Sequence, residues 1–169
     1  TYRGFFAYAA DHNDLVPLGY RGTKQFNSMI YSVTATPRTY VMFGLVYAGG
    51  YFNDPRILFC PSETNPTFMP QGNPLPATGA MNLYAGYGDR PAVLIPDQMV
   101  AGTALPKLGN FHMQAILADL TSSAARVDSR HVAGINVLSG MGSAAWVPRG
   151  VFDPPLGLAS APAAGNDAN

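Results

Sequence analysis

Eighteen glycines and fifteen prolines in 169 residues set the strongest limit on what this chain can fold into. Glycine frees the backbone and proline removes an amide donor, so regular elements must be short and connecting loops should outweigh helix and strand together. Apolar residues nonetheless make up 47% of the chain and charged ones only 12%, a balance that supports a buried core and excludes a disordered polyelectrolyte. The length suits one domain.

Ten basic residues balance ten acidic ones and form no dense basic run, which argues against a nucleic-acid partner. Cys60 is the only cysteine, so the chain can build neither an internal disulfide nor a Cys-rich zinc site nor a redox pair. It reads as a small buried hydrophobe between Phe59 and Pro61. No apolar run approaches the ~20 residues of a membrane span. The opening Thr1-Tyr2-Arg3-Gly4 lacks the charged and apolar regions of a signal peptide, so the chain reads as a processed or trimmed product.

Residues 2–10 place Tyr2, Phe5, Phe6 and Ala9 at helical spacing with no cap before them, a helix already in progress. Asp11-His12-Asn13-Asp14 ends it. Pro37 at a first helical position predicts a buried helix over 37–48, closed by Gly49-Gly50. Ile57–Cys60 reads as a brief strand or extended segment, residues 61–79 as a loop, and 80–87 as a strand. Breakers leave Pro91–Leu108 unassigned, Lys107–Asn110 reads as a turn, and order returns over Met113–Leu120. Gly134–Leu138 and Ala144–Val147, joined by Ser139-Gly140-Met141-Gly142-Ser143, predict a β-hairpin. The expected organisation is a globular head over 1–152 and a flexible tail over 153–169.

The chemical constellations are sparse. His131, Asp128 and Ser139 are the residue types of a hydrolytic triad, but the nucleophile-elbow spacing is absent and structural roles are expected instead. Catalysis would require His131 in an open cleft beside Asp128 or Asp119. His12, His112 and His131 form no paired ligand motif, so no zinc site is expected. Asp11, Asn13 and Asp14 offer oxygens to calcium but lack the glycine and distal glutamate of a calcium loop, and turn chemistry accounts for them. No cofactor is expected.

Several segments, taken in order, resemble the prepilin-like proteins of planctomycetes and related bacteria, the type II secretion pseudopilins. Tyr8–Pro17 is similar to the end of that family's lipid-embedded helix, Asn53–Ser62 to its Cys-Pro-Ser segment, and Tyr84–Pro91 to its Tyr-Gly-x-Arg-Pro strand. The family's C-terminal signature is a His, nine residues, then Asp-Gly; His131, Gly134, Asn136 and Gly142 keep it here, with Met141 in the Asp position. The resemblance implies an α+β, pilin-like fold: an N-terminal helix packed on a small antiparallel sheet with long Pro/Gly-rich loops. It implies that the first part of that helix lies upstream of Thr1 and holds the subunit in the inner membrane before assembly. Function would then be non-enzymatic, in a filament of self or other pseudopilins built by an inner-membrane platform and reaching the periplasm or cell surface. Tyr2, Phe5, Phe6 and Tyr8 would pack against the sheet or neighbouring subunits. An alternative on the same scaffold is a surface module that binds a glycan or exported cargo through loop aromatics such as Phe68, Tyr84 or Tyr87.

Overall fold

The computed structural model describes residues 1–21, 27–35, 37–94, 104–121 and 124–158. Expectations for 95–103 and for the tail beyond 158 lie outside the described residues. Helix α1, Tyr2–Asp11, forms where the aromatic spacing predicts it and buries Gly4, Phe5, Tyr8 and Ala9. Phe5 stacks on Phe43 with ring centroids 5.0 Å apart, and Phe43 meets Phe52 edge-on at 5.4 Å. Gly4 is required for this close approach, because a Cβ there would stand 2.5 Å from Phe52 Cζ. The helix stops where Asn13 and Asp14 turn left-handed, at φ 55° and 68°. His12 stacks on Tyr8 at 3.9 Å and donates from Nδ1 to the Tyr8 carbonyl, which finishes the helix. Asp11 accepts from the Tyr51 hydroxyl and Asp14 from the Gly109 amide, so both carboxylates make tertiary bonds and not the local turn bonds expected of them.

The described strands, in chain order, are β1 Gly19–Arg21, β2 Met29–Ser32, β3 Thr39–Tyr40, β4 Leu83–Tyr84, β5 Tyr87–Asp89, β6 Pro91–Leu94, β7 Ala115–Asp119, β8 Gly134–Ser139 and β9 Ala144–Pro148. They form three small sheets: a parallel β1–β6 pair, an antiparallel β3-β2-β4 set and an antiparallel β5-β7-β8-β9 set. The fold is thus α+β, although the single small sheet expected beside α1 is divided, and one pair runs parallel. The predicted hairpin forms with Asn136 opposite Trp146 and Leu138 opposite Ala144.

Other elements differ from the sequence reading for visible reasons. The helix expected over 37–48 shortens to α2, Phe43–Ala48, because Thr39 and Tyr40 pair with β2 and Met42 sits at φ 48°. The 57–60 segment begins inside a 3₁₀ turn, Pro55–Leu58, started by Asp54, whose carboxylate accepts from the Arg56 amide; Phe59 after it is extended. The expected 80–87 strand breaks at Ala85-Gly86, and its halves join different sheets. Two 3₁₀ turns, Pro66–Phe68 and Pro70–Gly72, order the 61–79 loop. Asn73 fastens that loop by donating to the Thr67 and Met69 carbonyls and accepting from the Tyr84 amide. Helix α3, Ala124–Asp128, precedes the hairpin, and α4, Arg149–Leu158, follows it. Helix α4 crosses the boundary expected at residue 152, held in its first turn by Arg149 donating to Asp153 at 2.6 Å.

Candidate functional site

Three segments remote in sequence meet behind the hairpin. Strand β7 ends at Asp119, whose Oδ2 accepts from the Asn136 amide at 2.6 Å and from Asn136 Nδ2 at 3.1 Å. Helix α3 ends in a tight turn in which the amides of Arg130, His131 and Val132 all donate to the Val127 carbonyl, aiming His131 inward. The third segment is Phe59-Cys60. Its backbone packs against Gly86, whose amide donates to the Leu58 carbonyl and where a Cβ would lie 2.5 Å from the Cys60 nitrogen. His131 Nε2 then stands 3.3 Å from Cys60 Sγ and 3.2 Å from Asp119 Oδ2, with the indole of Trp146 edge-on to the imidazole at 5.9 Å.

Burial dominates the electrostatics. It pushes the Cys60 thiol up to about 11; the Asp119 charge adds to the rise, while the Ser62 amide and Arg130 oppose it. At neutral pH Cys60 alone is therefore a thiol and a poor nucleophile. Tyr87, paired with Asp119 across β5 and β7, rises to about 12, first through burial and then through Cys60 and Asp119. Beside this cluster Glu63 is buried yet fully engaged. Its Oε1 accepts from the Thr64 and Asn65 amides, and its Oε2 lies 3.1 Å from Arg130 and 3.8 Å from Arg126. Arg130 also donates to the Leu120 carbonyl, and Arg126 lies over the Phe68 ring at 4.0 Å.

A Cys-His-Asp set suggests nucleophilic catalysis, but that relay needs the acid on one imidazole nitrogen and the nucleophile on the other. Here both face Nε2, and the His131 side chain is only 12% exposed. His131 therefore does lie beside Asp119, though not in an open cleft. The other residues of the sequence triad are elsewhere: Asp128 pairs with Arg149, and the Ser139 hydroxyl bonds that of Ser143.

Of the signature residues, the fold brings His131 and Asn136 together at Asp119, while Gly134 makes room for Trp146, whose Cε2 would be 2.7 Å from a Cβ. Gly142 is at the opposite end of the hairpin, at φ +86°, against the ring of Tyr2. Tyr2 and Phe6 neighbour one another at 6.0 Å, whereas Phe5 and Tyr8 belong to the core. Phe68, expected to be an exposed loop aromatic, is fully buried against Arg126 and Tyr84, and Tyr84 and Tyr87 are half-buried in strands. The sequence offered little warning of the Cys60 cluster. Its members are spread over three segments, and the sequence reading pairs only His131 with Asp119, as one of two candidate acids, and leaves Cys60 apart.

Comparison of the chain with protein-family models, curated proteins and solved structures finds no match.

Proposed function

We propose that this chain is the head of a type IV pilin-like or type II secretion pseudopilin subunit, acting through subunit-to-subunit contacts in a filament at the periplasmic or cell-surface side. The observation that carries the reading is a set of exposed apolar side chains on α1, at the hairpin turn and just before β7. Phe6 is 58% exposed, Met141 58% and Met113 80%. Tyr2 stands between Phe6 and Gly142, and the Met141 amide donates to the His112 carbonyl next to Met113 in sequence. Exposed apolar residues on a helix and at a turn that meets its first residue suit close packing against another copy more than capture of a soluble ligand. The partners in this reading are other pseudopilins and an inner-membrane assembly platform, reached through an apolar helix upstream of Thr1.

Negative-stain electron microscopy tests it. The chain is expressed behind a prepilin leader and apolar helix, with a prepilin peptidase and an assembly ATPase. Thin filaments labelled by an antibody to residues 1–169, and lost with Phe6→Glu or Met141→Glu while the head stays folded, are expected. Processed protein that never leaves the membrane as a filament overturns the filament role.

A further inference from the structure

The geometry points to Cys60, Asp119 and His131 as a three-ligand site for a zinc-type divalent cation. This does not depend on the filament reading. The Sγ, carboxylate and imidazole ligand atoms all lie within 4.8 Å of one another. Around a tetrahedral zinc ion, neighbouring sulfur–nitrogen and nitrogen–oxygen ligand pairs stand about 3.4–3.6 Å apart. The corresponding separations here are 3.3 Å and 3.2 Å.

A single proton or lone pair on Nε2 serves Cys60 or Asp119 but not both, and the Cys60 thiol also faces the Asp119 carboxylate, so the three groups converge on one point. Asp119 is 1% exposed, and among the described residues its Oδ1 has no hydrogen-bond partner, an acceptor buried without a donor. A cation between the three would use the imidazole lone pair, the sulfur and the carboxylate together. Thiolate, carboxylate and neutral imidazole also cancel the two positive charges, which suits a buried site, and sulfur with imidazole selects a borderline metal over calcium or magnesium. On binding, the thiol proton leaves to solvent and the Cys60–metal bond replaces the S–H bond. Asn136, with two hydrogen bonds to Asp119 Oδ2, is a positioning residue that holds the carboxylate in place.

Cobalt is a suitable probe, because a thiolate–cobalt charge-transfer band can arise here only from Cys60, the single cysteine. Tag-free, reduced, chelator-treated protein is titrated anaerobically with Co²⁺ and then with Zn²⁺. The expected result is that band, saturating at one equivalent and displaced by zinc, with a thermal midpoint that rises on zinc addition. Cys60→Ser and His131→Gln should abolish both signals, and Asn136→Ala should weaken zinc affinity about 10–100-fold. Circular dichroism reports whether each variant is folded, and the wild-type spectrum decides the matter even if none is. Absence of the band in folded wild-type protein at excess cobalt, or one-equivalent binding that survives Cys60→Ser, overturns the site.

Discussion

Asp89 shows how a single residue can set the pH response of the fold. It is 3% exposed in β5, and its Oδ2 accepts from the Phe43 amide at the start of α2. Burial pushes its carboxyl well above the usual range, and the Phe43 amide only partly opposes this. The folded state therefore holds this proton more tightly than the unfolded chain does. The stability this contributes is complete below the ordinary carboxyl range, about pH 4, and is lost as pH rises through the folded value. Asp89→Asn keeps an acceptor for Phe43 and removes the charge. Thermal melts across pH should show the variant more stable than wild type at neutral and alkaline pH, with a shallower decline; an unchanged slope would place the titration elsewhere. Nothing in Gly88-Asp89-Arg90 announced this, because an aspartate beside an arginine reads as solvated until the strand is seen folded onto α2.

At the level of elements, α1 makes opposite demands of adjacent residues. Phe5 is fully buried between Phe43 and the rest of the core, so Phe5→Ala should cost about 3–5 kcal/mol. Phe6→Ala, on the outer face, should change head stability by about 0.5 kcal/mol or less. Urea unfolding of the two variants checks the contrast, and equal losses would refute the assigned faces. The loop over 61–79 depends in the same way on Glu63. Glu63→Ala leaves Arg130 and Arg126 buried without their carboxylate and should cost about 3–5 kcal/mol, more than Glu63→Gln, again by urea unfolding. Period and turn chemistry made α1 and the hairpin legible in advance, since both are local patterns with local causes. The 37–48 and 80–87 segments were misread because pairing with β2 and the approach of Cys60 to Gly86 are tertiary events that no local window contains.

Across the whole molecule, what matters most is contact between distant parts. Cys60 meets His131, Glu63 meets Arg130, and β1 pairs with β6. A single sequence carries residue types but not these pairings, so the α+β class was legible while the arrival of Cys60 at Asp119 and His131 was not. The ring of Tyr2 resting on Gly142 has a further consequence, for the order of events in time. The helix is synthesised early, yet its outer turn has no seat until the hairpin emerges near the other end. Contacts of such long range fold slowly. During synthesis the Phe5 and Tyr8 face of α1 can close on Phe43 and Tyr51 once these emerge, whereas Tyr2 should stay unshielded until the hairpin forms. Pulsed hydrogen exchange during refolding should find α1 amides protected with those of α2 and ahead of β8 and β9; protection of α1 only together with β8 and β9 would show that the helix waits for the turn.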